Sequence, residues 1–153
     1  MLRRPLRSFR RHLLDRMVLR PSQHPIHAPT LERVILPCGT EFIECFVQNT
    51  HSDSEPPELL ILKFPGTAGR AERSTAFPTP MLDTKRTAIW TWNPPGYGGS
   101  SGQASLSTMA HAGSAFWQAI TEKYAGPDTS IWLCGNSLGC ATALHIAAKH
   151  TPD

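Results

Sequence analysis

The pentapeptide Gly135-Asn136-Ser137-Leu138-Gly139 places a serine midway between two glycines. A serine on a sharp turn between a strand and a helix projects its hydroxyl above the sheet, and the helix aims its first N–H groups at the same point. A side chain on either glycine would strike the neighbouring strand or helix. This spacing predicts nucleophilic chemistry at Ser137, with the N–H of Leu138 as one donor to an oxyanion. The alternative is that Gly135 ends a strand and Ser137 caps a helix.

The elements that would position this serine are visible as apolar segments. Residues 130–134 have the pattern of a buried strand, and residues 138–150 form an alanine-rich segment typical of a helix. Residues 59–64 and 86–92 predict two further strands, and residues 104–124 predict a helix before the third. Strands that alternate with helices at these lengths predict an α/β fold with a mostly parallel sheet and flanking helices.

Two more strands precede this alternating region. Apolar residues cluster in segments 31–36 and 42–47, and the turn Pro37-Cys38-Gly39-Thr40 separates them. Two such segments joined by a short turn predict an N-terminal β-hairpin at one edge of the sheet. Residues 69–77 are predicted to hold a short helix.

The N-terminus is strongly basic, with seven arginines in the first twenty residues against a single Asp15. Apolar residues recur among them at steps of three or four. A helix with this pattern suits peripheral contact of residues 1–20 with an anionic membrane surface, or a transit peptide. The alternatives are a solvated arm and a helix packed on the domain. Three prolines follow, so the sequence predicts an arm and linker over residues 1–30 and one domain over residues 31–153.

The composition is that of one globular domain. The 153 residues are 40 % hydrophobic and 18 % charged, and such a chain can bury one sizeable core. Without its first twenty residues the chain is slightly acidic, so we expect no nucleic-acid partner. The four cysteines form no C-x-x-C pair, which predicts no metal site and a reducing, cytoplasmic location. No apolar run reaches the ~18–20 residues that cross a bilayer.

Two glycine-rich loops invite a nucleotide-binding interpretation, which their residues do not favour. The loop "NPPGYGGSSG" nearly spells G-x-G-x-x-G, but Ser101 occupies the position of the third glycine. The loop "PGTAGR" lacks the G-K-[ST] of a phosphate-binding loop.

Taken in chain order, these loops and the serine motif resemble the α/β-hydrolase family over about residues 31–150. The loop "LKFPGTAGR" lies where members carry His-Gly-x, so the resemblance makes Gly66 the turn glycine and the N–H of Thr67 the second oxyanion donor. Pro65 replaces the histidine of the family. The loop "NPPGYGGSSG" is similar to the family's D-x-x-G-x-G-x-S: it has Asn93 at the usual Asp and matches at Gly96, Gly98 and Ser100.

The resemblance implies a serine hydrolase that cleaves an ester, thioester or amide of a small-molecule acyl substrate through an acyl-enzyme, without a cofactor. Within the family, the motifs resemble those of serine aminopeptidases and of acyl-protein or lipid esterases. In this family the acid and the histidine of the triad follow the serine. The histidines after Ser137 are His145 and His150, about 12 and 20 Å along the same helix, and neither is expected to act on it.

We therefore expect the N-terminal half of a hydrolase, a fold truncated just after the helix that follows Ser137. Such a chain would lack the acid and histidine of the triad and would be inactive by itself. Its central strand would form an open edge, which favours self-association. The alternative function is a non-catalytic binding or scaffold protein derived from a hydrolase, at a membrane surface through residues 1–20.

Overall fold

The computed structural model describes residues 12–50, 55–82 and 86–150. Within these ranges, five strands form one mixed sheet in the order β1-β2-β4-β3-β5. Their bounds are β1 (Glu32–Cys38), β2 (Glu41–Asn49), β3 (Leu59–Phe64), β4 (Thr87–Trp92) and β5 (Ser130–Gly135).

The pairing directions divide the sheet into two parts. β1 and β2 form an antiparallel hairpin, and β2 also pairs antiparallel with β4. β3 lies between β4 and β5 and is parallel to both. The predicted α/β fold with an N-terminal hairpin is thereby confirmed, and the strand before Ser137 pairs with residues 59–64.

The described residues also form three α-helices. Residues 12–18 form α1, followed by α2 (Leu106–Tyr124) and α3 (Gly139–Ala147). The short helix expected within residues 69–77 is a single 3-10 turn, Ala71–Arg73. None of the described helices combines the length and the apolar character that a membrane span needs.

The main core lies between the sheet and α2. Phe116 of α2 stacks on Trp92 of β4 at a centroid distance of 5.7 Å, and Phe64 of β3 meets both rings edge-on at 5.8 Å. Trp90 and Trp92 are buried and belong to this core. Gly113 of α2 allows α3 to pack closely, because a Cβ at this position would lie 2.5 Å from the methyl group of Thr142. The core therefore fixes α3 against the sheet at the end where Ser137 lies.

The segment after α1 lies along the folded body. Leu19 is buried, and the carboxylate of Asp15 accepts a hydrogen bond from the N–H of Leu106 at 3.0 Å, at the start of α2. The carbonyl of Ser22 accepts from the N–H of Gly98 at 2.9 Å. Residues 1–11, which carry most of the predicted amphipathic pattern, lie outside the described residues, and the membrane contact expected for residues 1–20 stays a prediction.

Candidate nucleophile site

Ser137 lies at the turn between β5 and α3 with an unusual backbone. Its φ is +51°, and it is the one non-glycine residue with positive φ in the described part of the chain. This left-handed backbone conformation costs a residue with a Cβ about 1–2 kcal/mol, so the surrounding structure must enforce it. The side chain is exposed at the carboxyl ends of β3 and β5. A strained, exposed serine at this point is the arrangement that nucleophile turns have.

The three glycines predicted around the serine each lie at a close approach, which is tightest at Gly135 and Gly139. A Cβ on Gly135 would lie 2.5 Å from the Cα of Cys140. A Cβ on Gly139 would overlap the carbonyl oxygen of Phe64. A Cβ on Gly66 would lie 3.1 Å from the Cβ of Ser137, so the loop after β3 touches the serine directly.

Backbone hydrogen bonds hold the turn on both sides of the serine. The N–H of Asn136 donates to the carbonyl of Phe64 at 3.0 Å, which ties the turn to β3. The N–H of Cys140 donates to the carbonyl of Ser137 at 3.0 Å and begins α3. The N–H of Leu138 makes no hydrogen bond with any described residue, so it remains available to a ligand.

The carbonyl of Thr67 is held by two hydrogen bonds. That carbonyl accepts from the hydroxyl of Tyr97 at 2.8 Å and from the N–H of Arg20 at 3.3 Å. The N–H of Gly69 donates to the carbonyl of Gly66 at 2.9 Å and closes the turn around it. Burial raises the pKa of Tyr97 more than the hydrogen bond from the Arg20 amide lowers it. The hydroxyl therefore keeps its proton and acts as a donor. The N–H of Thr67, by contrast, has no hydrogen-bond partner within the described ranges.

The glycine loop after β4 is closed on itself. Gly96 and Gly98 have φ values of +81° and +55°, which only glycine adopts readily. The hydroxyl of Ser100 donates to the carbonyl of Asn93 at 2.6 Å and accepts from the N–H of Glu44 at 2.9 Å. This loop carries the buried Tyr97, whose hydroxyl reaches the carbonyl of Thr67.

Asn93, at the position of the family's usual Asp, is fully buried and joins three segments. Its side-chain carbonyl accepts from the N–H of Ala71 at 2.9 Å. Its amide donates to the carboxylates of Glu44 at 2.7 Å and Glu72 at 2.9 Å. An amide can donate to two carboxylates where an aspartate would repel them, so the buried acids explain the asparagine.

Glu44 and Glu72 are in turn neutralised by arginines. Glu44 accepts from the Nε of Arg33 at 2.5 Å and from the N–H of Gly99 at 2.6 Å, while Glu72 pairs with the buried Arg70. Burial raises the pKa of Glu44, but the hydrogen bonds from Gly99, Arg33 and Asn93 together hold it below its ordinary value. Sequence reasoning missed this cluster. The one signal was a charged residue, Glu44, inside the otherwise apolar segment 42–47.

A cleft of about 580 Å³ opens beside Ser137. Its polar lining includes Lys63, Arg70, Arg73, Asn136 and Ser137, and Phe64 and Phe77 supply apolar surface. Leu138 and Thr67 are not among the residues that line it, but each follows one that does, Ser137 and Gly66. The structure thus brings together the serine turn and the loop after β3, two of the three regions that the sequence singled out.

The histidines lie elsewhere. His145 is on α3, and the ring of His150 stacks on Trp117 with centroids 3.7 Å apart. His111 is exposed on α2. No described histidine lines the cleft beside Ser137, and no group of His, Cys, Asp and Glu in the described ranges is arranged to hold a metal ion.

Comparison with known proteins shows likeness in structure only. No family model matches the chain, and no curated protein matches it in sequence. An alpha-beta serine hydrolase homologue from Coxiella burnetii aligns with TM-score 0.57 and 15% identity, over 84% of this chain and 61% of that one. A serine hydrolase without lid from Xanthomonas campestris aligns with TM-score 0.58 and 14% identity, over the same shares. Est1E from Butyrivibrio proteoclasticus, solved with ferulic acid bound, aligns with TM-score 0.59 and 17% identity, over 76% and 47%.

These likenesses show the fold. The chain has the α/β-hydrolase fold over most of its length, and it spans about three fifths of the first two of these structures.

Proposed function

We propose that this chain, which has part of an α/β-hydrolase fold, carries the nucleophile of a serine hydrolase that acts on an ester, thioester or amide. The observation that supports this most is the left-handed backbone of Ser137 at the turn between β5 and α3, with the serine exposed in a cleft. A strained conformation kept at an exposed position is typical of functional residues.

The proposed reaction has two halves. The Oγ of Ser137 attacks the carbonyl carbon of the substrate while a base accepts the hydroxyl proton. The alcohol, thiol or amine then leaves with a proton, and an acyl-serine remains. Water attacks the acyl-serine, releases the carboxylic acid and restores the hydroxyl.

The negative charge that develops on the carbonyl oxygen needs donors close to Ser137. We assign this role to the N–H groups of Leu138 and Thr67, which make no hydrogen bond with described residues. Loss of one such donor typically lowers kcat by about 10²–10³. The Gly66 carbonyl, which shares a peptide unit with the Thr67 N–H, accepts from the N–H of Gly69, and the Tyr97 hydroxyl holds the carbonyl on the other side of Thr67.

The base and its orienting acid have to come from residues other than those described around the cleft. His145 and His150 are on the helix that leads away from Ser137, and the ring of His150 is occupied by Trp117. This placement favours a second candidate, a non-catalytic binding protein that keeps the hydrolase cleft. The two candidates differ in whether Ser137 reacts.

Hydrolysis of p-nitrophenyl butyrate separates them. In a form of the protein that also supplies the histidine and the acid, we expect Ser137→Ala to lower the rate to the uncatalysed background, with Ser107→Ala, an exposed serine of α2, unchanged from wild type. Hydrolysis that persists in Ser137→Ala would contradict the proposal. If that form with Ser137 intact does not hydrolyse the ester at all, the binding protein is favoured.

A further inference from the structure

The cleft beside Ser137 is positively charged, and we infer that the substrate carries a carboxylate that Arg73 and Lys63 bind. The inference rests on the proposed function, because it takes this cleft as the substrate site. It adds the chemical class of the substrate, an acyl compound with a second, anionic end.

Arg73 is the first uncompensated charge. It lines the cleft at the end of the 3-10 turn Ala71–Arg73 and is exposed. Its backbone is held, because its N–H donates to the carbonyl of Arg70 at 3.1 Å and Ala71 is bonded to Asn93. Its guanidinium forms no ion pair with any residue in the described part of the chain. A fixed backbone with a free guanidinium suits the recognition of a carboxylate.

Lys63 is the second. Its ammonium, half-buried at the end of β3, donates to the carbonyls of Thr75 at 2.9 Å and Phe77 at 3.1 Å. These partners are neutral, and an ammonium has a third N–H to offer. Its neighbour across the β3–β5 pair is Cys134. Burial raises the pKa of that thiol more than the charge of Lys63 lowers it. The thiol therefore stays neutral at pH 7 and does not compensate the positive charge of Lys63.

The third cation of the cleft, Arg70, is different. It pairs with Glu72 and donates to the carbonyls of Ser22 at 2.8 Å and His24 at 3.0 Å, so its charge is already satisfied. Among the described residues that line the cleft, none is Asp or Glu. Two charges of one sign in a concave site attract a counter-ion of the other sign. The fork of Arg73 and the remaining N–H of Lys63 provide donors for the two oxygens of a carboxylate.

A pair of matched esters tests this preference without turnover. Monomethyl glutarate carries a carboxylate, and its primary amide, methyl 4-carbamoylbutanoate, has nearly the same shape without charge. Both are titrated into Ser137→Ala at low ionic strength, with the chemical shifts of the amides around residue 137 as the readout. We expect the anionic ester to bind about fivefold tighter, as one charge contact in water gives.

Two variants in the Ser137→Ala background locate the source of the preference. Arg73→Gln should bring the two affinities to within about twofold of each other. Arg16→Gln removes the same charge from an exposed arginine at a different surface, where it lines a separate cleft, and should leave the preference intact. The inference would be overturned if the parent bound the two esters with equal affinity, or if the preference survived Arg73→Gln. It would also be overturned if neither ester bound at an ester concentration of about 10 mM. The hydrolysis test of Ser137 is independent of these titrations, so failure of the proposed function is seen separately.

Discussion

The backbone of Ser137 is under strain, and its neighbours show how the strain is held. Gly135, Gly139 and Gly66 allow Cys140, Phe64 and the serine itself to approach closely. Asn136 and Cys140 then tie the turn to β3 and to α3 through backbone hydrogen bonds. The serine keeps its conformation because the segments on both sides of it are fixed.

Gly139→Ala tests the steric part of this explanation. The added Cβ would overlap the carbonyl oxygen of Phe64, and rigid backbone on both sides cannot yield easily. We expect a loss of about 3 kcal/mol or more in the free energy of unfolding, measured with urea. Gly39→Ala is the control, because its φ of +62° carries a strain cost but nothing lies within 4 Å of the new methyl. That variant should lose only about 1–2 kcal/mol, and equal losses in the two variants would contradict the explanation.

Tyr97→Phe tests whether the peptide of Thr67 is held by the phenol. The change removes the hydrogen bonds to the Thr67 carbonyl and from the Arg20 N–H while the buried ring remains. We expect a loss of about 1–2 kcal/mol in unfolding free energy, measured with urea. Tyr124→Phe, whose ring packs on Trp90 and whose hydroxyl bonds to no described residue, should not change it.

Among the elements, the loops after β3 and β4 depend on one buried polar cluster. Asn93 joins Ala71, Glu44 and Glu72, and Gly99 completes the bonds to Glu44. The cluster sets the position of the segment that contains Thr67 and Arg73. It is therefore the structural support of one side of the cleft.

The lowered pKa of Glu44 gives this cluster a pH dependence. Above the ordinary pKa of glutamate, Glu44 is charged in both the folded and the unfolded chain, and its contribution to stability is complete. As the pH falls through the ordinary value toward the lowered one, the unfolded chain takes up the proton first, so stability is lost. Urea unfolding between pH 7 and pH 3 should show a shallower loss in Glu44→Gln than in wild type, while Glu122→Gln, exposed on α2, should follow wild type. Parallel pH curves for wild type and Glu44→Gln would contradict the assignment.

The sequence predicted the regular elements well and this cluster not at all. Residues 59–64 are a strand with the predicted bounds, because a short apolar run between turn residues is typical of a buried strand. The helix predicted over 104–124 begins two residues later, where Ser105 and Thr108 form a capping box. Glu44 and Asn93, in contrast, are 49 residues apart, and no local pattern shows that two such residues will meet in a core. The same reason hid Lys63 and Arg73, which only the folded chain brings to one cleft.

At the scale of the molecule, β5 lies at the edge of the described sheet. It pairs with β3 on one side, and Trp132 is 37% exposed. Edge strands with exposed apolar side chains pair readily with further strands. The chain spans about three fifths of the first two structures reported above.

Self-association through this edge is a prediction from the sequence that can be measured. Trp132→Lys places a charge on the edge strand, which opposes strand pairing, and we expect it to lower the apparent mass in sedimentation equilibrium at high protein concentration. Leu144→Lys changes an apolar residue that is 69% exposed on α3, outside the edge strand, and it should behave as wild type. A wild-type protein that is monomeric at all concentrations would contradict the prediction.

The central claim is that Ser137 is a reactive nucleophile, and covalent labelling tests it most directly. A form of the protein that also supplies the histidine and the acid is treated with a fluorophosphonate, which phosphonylates activated serines with loss of fluoride, and the adduct is located by mass spectrometry of peptides. We predict one modified residue, Ser137, and no modification of Ser137→Ala. An adduct on another serine, or an unmodified wild-type protein under conditions that label a known serine hydrolase, would contradict the claim.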